Sequence, residues 1–242
     1  MIKVVVLGVG GRMGTEVSRS LLQQHDMELV GGVERRGHPL VGSSLGSGLV
    51  VDDMAILVPA ADVVVDFSVA HMVSTHVRAC VGSGKPYVTG VTGLSDADAQ
   101  FLRDCSVTIP VVYSPNFSVG VAVLNRLACE AVRLLGSAYD ISILEIHHRG
   151  KLDSPSGTAR MLAASLQRTA DSNKTISISA IRTGDAAGEH RVIFGGAGER
   201  IELTHKAESR AAFVTGVIAS IRFAASRQRG FYSLDDVILQ LL

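Results

Sequence analysis

Ile2-Lys3-Val4-Val5-Val6-Leu7-Gly8-Val9-Gly10-Gly11-Arg12-Met13-Gly14 is the stretch on which the fold turns. A β-branched apolar run closed by glycine reads as a strand buried on both faces, and the pattern from Gly14 to Gln24 reads as an amphipathic helix. The glycines repeat as Gly8, Gly11 and Gly14, with Met13 where G-x-G-x-x-G would place its last glycine, so the loop is a variant of that fingerprint. Missing Cβ atoms let a pyrophosphate approach the backbone, and the amides of Gly10, Gly11, Arg12 and Met13 at the helix start attract its charge. A tight structural turn could use the same glycines.

The next strand-like run, Glu28 to Glu34, tips the reading toward binding. It ends on a carboxylate about 20 residues beyond Gly14, where a dinucleotide-binding unit holds the adenosine ribose hydroxyls. Arg35 and Arg36 follow at once. A guanidinium beside Glu34 can pair with a 2′-phosphate, which leaves NADH and NADPH both open; Arg36 alone reads as a solvated loop charge.

Strand-like Val63 to Phe67, helical His71 to Val81, and strand-like Tyr87 to Thr89 and Val111 to Tyr113 continue the rhythm. Such alternation predicts an α/β unit, a Rossmann-like doubly wound parallel sheet with helices on both faces. Beyond Asn116 the pattern changes. An apolar helix from Val119 to Leu135 leads to a strand from Asp140 to Ile146, a polar loop, and a helix from Ser156 to Thr169. Strand-like runs follow around Ile176, Val192 and Ile201, with Gly195-Gly196-Ala197-Gly198 as a tight turn. These predict a second, α+β domain on a mixed or antiparallel sheet. Helical patterns at Arg210 to Ala225 and Leu234 to Leu242 are expected to rejoin the first unit. The resulting division is 1–117 with 210–242 for the dinucleotide, and 118–209 for substrate and oligomerisation.

The composition narrows the classes. With 242 residues, 47% of them apolar, the chain can bury a substantial core. No apolar run reaches the roughly 18 residues of a membrane span, and the start lacks the features of a signal peptide, so a soluble cytoplasmic protein is expected. Cys80, Cys105 and Cys129 show no C-x-x-C spacing and predict neither a disulfide framework nor a thiolate zinc site. Lys plus Arg and Asp plus Glu balance at 23 each, which provides no basic field for nucleic acid.

The chemistry concentrates in Glu145-Ile146-His147-His148-Arg149-Gly150-Lys151-Leu152-Asp153-Ser154-Pro155-Ser156-Gly157-Thr158-Ala159. Pro155 suits a first helical turn, which would leave the amides of Ser156, Gly157 and Thr158 to hold a carboxylate. Lys151 adds a cation, and His147 or His148 can supply a proton near neutral pH. Singly these residues read as an ordinary cap, a solvated lysine and a satisfied histidine; together, downstream of a dinucleotide loop, they describe a site for a small acid. No zinc-ligand spacing is present, and no metal is expected.

This run resembles the signature E-x-H-H-x-x-K-x-D-x-P-S-G-T-A of the dihydrodipicolinate reductase family at every defined position. Gly8 to Gly14, Glu34-Arg35, Asp66-Phe67-Ser68, Ser114-Pro115-Asn116-Phe117-Ser118-Val119-Gly120-Val121 and Thr204-His205-Lys206-Ala207 fall in the family's order across nearly the whole chain. The resemblance implies NAD(P)H-dependent reduction of a cyclic dicarboxylate made from aspartate semialdehyde and pyruvate, in lysine and diaminopimelate biosynthesis. By the same resemblance His147 is the general acid, Lys151 binds substrate and stabilises charge, and His148, Ser156, Gly157 and Thr158 grip its carboxylates. The glycine loop, Glu34, Arg35, Gly90, Thr92, Ser114, Asn116 and Phe117 would line the cofactor. A homotetramer built through the second domain's sheet is also implied, with hinges at Phe117-Ser118 and Ser209-Arg210. Two departures stand out: Gly90-Val91-Thr92-Gly93 replaces the usual G-T-T-G, and the segment from Arg182 to His190 is short.

Three other readings compete. A dehydrogenase of another amino-acid intermediate, using a cysteine nucleophile, fits poorly because Cys129 lies mid-helix. A Schiff-base lyase using Lys151 leaves the glycine loop unexplained, and a non-catalytic dinucleotide sensor leaves the His147 to Thr158 constellation without purpose.

Overall fold

The structure, a computed structural model, describes residues 1–170 and 174–240. In chain order its elements are β1 (Ile2–Leu7), α1 (Arg12–Leu21), β2 (Met27–Val33), β3 (Ser44–Leu45), β4 (Gly48–Val51), β5 (Val63–Asp66), α2 (Val73–Gly82), β6 (Tyr87–Thr89), α3 (Asp96–Cys105) and β7 (Pro110–Tyr113). There follow α4 (Val119–Leu135), β8 (Asp140–His147), α5 (Gly157–Thr169), β9 (Ile176–Arg182), β10 (Glu189–Gly195), β11 (Arg200–Lys206), α6 (Ala211–Ala225), β12 (Gly230–Tyr232) and α7 (Leu234–Ile238). Two compact units result, Met1–Phe117 with Phe213–Leu242, and Ser118–Ala212.

The first unit is built on the sheet β12-β7-β6-β5-β1-β2-β4-β3, parallel except where β3 joins β4. Val4, Val5 and Val6 are wholly buried, as expected of a central strand covered on both faces. The chain runs from β1 to β2 and β4 on one side, then returns to lay β5 on the other. The loops after β1 and β5 therefore meet at the topological switch point, where ligands of such sheets bind.

Several details depart from the sequence reading. β3, β4, β12 and α3 were not predicted, and the helix expected from His71 opens as a short 3-10 turn before α2. Helix α3 exposes most of its length and is fixed by a capping box between Ser95 and Asp98. The last helix ends at Ile238, and the final part of its expected span, Leu241 and Leu242, lies outside the described residues.

The second unit carries the mixed sheet β11-β10-β8-β9, in which only β8 and β9 are parallel. Alternation places Ile141, Ile143, Glu145 and His147 of β8 on its buried face, beside Phe194, Val192 and His190 of β10. At the apolar end Leu124, Ala128 and Val132 of α4 and Ala159, Leu162 and Leu166 of α5 complete a core. The same face turns polar toward the end of β8, where His190 pairs with Glu145, His205 with His190, and Arg182 with His147. One sheet face thus supplies both the core and the positions of the second unit's polar cluster.

Leu162 is wholly buried in that core, so Leu162→Ala should cost about 2–5 kcal/mol. Hydrogen exchange should quicken in β8 and β10 and remain unchanged in β1 and β5. Equal loss of protection in both sheets would contradict separate cores.

Candidate functional site

In the first unit the glycine loop is shaped by close backbone contact. Gly8 has φ +75°, and a Cβ on Gly14 would lie 2.0 Å from the Gly8 carbonyl oxygen, so α1 can begin here only without a side chain. Gly11 caps α1 with no side-chain acceptor, and the first turn holds no acid. The positive end of the helix is thereby left to an external anion, which fits a pyrophosphate. Gly10 and Arg12 are exposed and Met13 is half-buried around this opening.

Glu34 follows β2 and folds against the loop, accepting from the Gly10 amide at 2.8 Å and the Arg35 amide at 3.1 Å. These bonds fix the carboxylate while its remaining lone pairs can accept ribose hydroxyls. Arg35 is exposed beside it. His38, which the sequence reading passed over, lies close enough that a Cβ on Gly10 would meet its Cε1 at 2.7 Å.

The other expected cofactor residues sit at the ends of β6 and β7. Gly90 presses on the Phe67 ring, Thr92 is exposed, and Ser114 donates to the Asn116 carbonyl at 2.5 Å. Phe117 stacks edge-on against Phe67, with centroids 5.9 Å apart. Val91 is buried among core residues, which accounts for an apolar side chain in place of the family's threonine. Beneath them Asp66, fully buried, accepts from the Tyr87 hydroxyl at 2.5 Å and the Ser68 amide at 2.8 Å, and lies 2.7 Å from His76 Nδ1. That network holds the loop after β5.

In the second unit the central group is Glu145, a wholly buried carboxylate that the sequence reading left without a role. Arg182 grips both its oxygens, at 2.7 and 2.9 Å, the Ser156 amide donates to Oε1 at 3.0 Å, and His147 Nδ1 makes a very short contact with Oε2. Burial pushes the carboxyl pKa up, but Arg182, His147 and the Ser156 amide outweigh it, and the net shift is downward. Burial lowers the His147 pKa; Glu145 opposes this, while Lys151 and Arg182 reinforce it, leaving a net depression. His190 stands edge-on to His147 with ring centroids 5.2 Å apart.

The polar loop corrects one detail. Pro155, joined to Ser154 by a cis peptide, precedes the helix, and Ser156 is the cap whose hydroxyl accepts from the Ala159 amide at 3.1 Å. With its own amide on Glu145, Ser156 is turned inward, and Gly157 and Thr158 form the opening of α5. Asp153 accepts from the Gly157 amide at 3.3 Å and pairs with Lys151 Nζ at 2.7 Å. Lys151 and the helix start therefore converge on one carboxylate, here supplied by the chain itself. His148 is half-buried, and its carbonyl accepts from the Lys151 amide at 3.1 Å.

Residues 2–117 match the family described as "Dihydrodipicolinate reductase, N-terminus", and residues 120–238 match its C-terminal counterpart. A 4-hydroxy-tetrahydrodipicolinate reductase of Anaeromyxobacter dehalogenans is 40% identical, and one of Myxococcus xanthus is 37% identical, each over 98% of both chains. A dipicolinate-bound dihydrodipicolinate reductase from Paenisporosarcina sp. TG-14 superposes with a TM-score of 0.81 at 25% identity, covering 98% of this chain and 99% of that one. No helix among the described residues is long and apolar enough to cross a membrane.

Burial, reinforced by neighbouring His147, pushes the His190 pKa down to about 3. Its folded value lies below the unfolded value of about 6.5, so its contribution to stability is complete above that pH. It is lost by about 1.4 kcal/mol per unit as pH falls toward the folded value. Urea unfolding of His190→Gln should be less acid-sensitive than wild type between about pH 6 and pH 4. Parallel stability curves across that window would contradict a buried neutral imidazole.

Proposed function

The chain belongs to the dihydrodipicolinate reductase family, and on that premise we propose how its residues divide the reduction of 4-hydroxy-tetrahydrodipicolinate by NADH or NADPH. The reaction, which serves lysine and diaminopimelate biosynthesis, replaces the ring's hydroxyl by hydrogen. One hydride and one proton are consumed and one water is released. The reduced nicotinamide, when bound, supplies the hydride.

The first unit's residues hold the cofactor. The amides at the start of α1 receive the pyrophosphate, Glu34 the ribose hydroxyls, and Arg35 a 2′-phosphate when there is one. Gly90, Thr92, Ser114, Asn116 and Phe117 complete the set at the ends of β6 and β7, the positions the family resemblance assigns to the lining of the cofactor.

The second unit's residues hold the substrate and move the proton. The observation that carries this reading is Asp153, whose carboxylate already occupies Lys151 and the Gly157 amide, the donors expected to receive a substrate carboxylate. An incoming dicarboxylate takes the place of Asp153 there, with Thr158 beside Gly157 and His148 beside Lys151 as further contacts. Ser156 supports this grip by capping α5. His147 protonates the substrate, and the negative charge of the bound dicarboxylate counters the burial that lowers its pKa. Lys151 stabilises charge that develops during reduction.

We also read the protein as a cytoplasmic homotetramer joined through the second unit's sheet. Its edge strands β9 and β11 expose Ile181 and Ile201, which favours association there.

With freshly generated substrate, loss of NADH or NADPH absorbance should match substrate consumed; no oxidation above the substrate-free blank would refute the reading. His147→Gln should lower kcat by about 10²–10⁴-fold with little change in cofactor affinity. Lys151→Met should lower kcat and also raise the substrate KM, because the cation serves the ground state too. Near-wild-type turnover of His147→Gln across the pH range would move the acid role elsewhere.

For the cofactor, Glu34→Ala should weaken NADH and NADPH alike, whereas Arg35→Ala should weaken NADPH more. Titration of both cofactors measures the contrast, and equal losses with Arg35→Ala would remove its role.

A further inference from the structure

We propose that Glu145, Arg182 and Gly188 are positioning residues: Glu145, clamped by Arg182, holds His147 with its Nδ1 proton turned inward, so that Nε2 alone is presented across Gly188. The inference rests on the assignment of His147 as proton donor and explains how that donor is aimed.

The hydrogen-bond inventory fixes the tautomer. Glu145 receives two bonds from the Arg182 guanidinium and one from the Ser156 amide, groups that can only donate. These donors hold its carboxyl pKa down and so favour the ionised acceptor, and the remaining contact, to His147 Nδ1, then takes its proton from the imidazole. A bidentate guanidinium also sets the plane of the carboxylate. Arg182 donates further to the Asp153 carbonyl at 2.6 Å, so the residue that orients the acid also anchors the loop of Lys151.

The opposite edge of the ring is kept clear by the short turn between β9 and β10. Gly188 has φ +150°, and a Cβ there would lie 3.1 Å from His147 Nε2 and 3.4 Å from Cδ2. A side chain at this position would cover the nitrogen that must reach substrate. The same turn is pinned to the loop by bonds from the Thr183 amide to the His147 carbonyl, 2.9 Å, and from the Arg149 amide to the Gly184 carbonyl, 3.1 Å.

The groups facing His147 set the expected signs. They are Glu145 on its own strand, Arg182 on β9, Lys151 with its partner Asp153 in the loop, and His190 on β10 with His205 behind it on β11. Burial lowers the pKa of both latter imidazoles. Glu145 is thus the anion that favours the imidazolium, and Arg182 a cation that opposes it. A general acid loses activity as pH rises through its pKa. Removing Glu145 should move that alkaline limb down, and removing Arg182 should move it up.

The test combines histidine ¹⁵N NMR with pH profiles of kcat, using His147→Gln to assign the resonance. Neutral His147 in the wild type should carry its proton on Nδ1. Glu145→Gln should lose this fixed tautomer, lower kcat about 10²-fold at unchanged cofactor KM, and shift the alkaline limb down by about a unit. Arg182→Met should shift the limb the other way, an opposition that general loosening of the fold would not produce. Gly188→Ala should lower kcat while keeping the Nδ1 proton. An Nε2–H tautomer in the wild type, limbs that stay put or move together, or full kcat in Gly188→Ala would overturn the proposal. An inactive wild-type protein would refute the assigned reaction, and the tautomer measurement would still judge the positioning claim.

Discussion

The burial of one carboxylate, Glu145, is the constraint on which the second unit's site depends. A charge with no solvent exposure is tolerable only if its lone pairs are met, and here guanidinium, amide and imidazole donors meet them. Those donors belong to β9, the cap of α5 and the end of β8. Satisfying a single charge therefore fixes the positions of the helix start, the loop of Lys151 and the His147 ring. Removing one partner of such a buried pair costs about 3–5 kcal/mol. The cluster is consequently costly to disturb.

The first unit reaches the same end by other means. The opening at the start of α1, where we place the pyrophosphate, is made by what is missing: no Cβ on Gly14, no side-chain cap on α1, and no acid in the first turn. The helix start then carries uncompensated positive potential toward any phosphate that approaches. Glu34, held by the Gly10 amide, adds a charged group of defined direction. One site is built from glycine and backbone dipoles, the other from a paired internal charge.

The second sheet and the central strands of the first are legible because strand and helix periods are local properties, and the β1 to α1 junction carries its own punctuation; the short edge strands β3, β4 and β12 are not. Helix α4 was readable over Val119 to Leu135 for the same reason. The loop from Glu145 to Ala159 stands out in the sequence as a candidate site because its residues are consecutive. Arg182 and His190 do not, since they join Glu145 through strand register, which one sequence does not reveal. Glu145 itself gave a usable signal, for alternation along β8 places it on the face of Ile141 and Ile143. Pro155 is welcome in a first turn, yet the helix opens later, with Ser156 as its cap. Helix α3 offers only a short apolar face, Phe101, Leu102 and Cys105, although Ser95 and Asp98 spell its capping box.

On the proposed reading, the loop following β8 grips a dicarboxylate while His147, at the end of β8, offers it one imidazole nitrogen. A crystal structure of the protein with dipicolinate and a reduced cofactor tests this most directly. One carboxylate should replace Asp153 on Lys151 Nζ and the Gly157 amide, with the pyridine ring beside His147 Nε2 and the Glu145–Arg182 pair unmoved. Dipicolinate bound away from this loop, with Asp153 still on Lys151, would contradict the account.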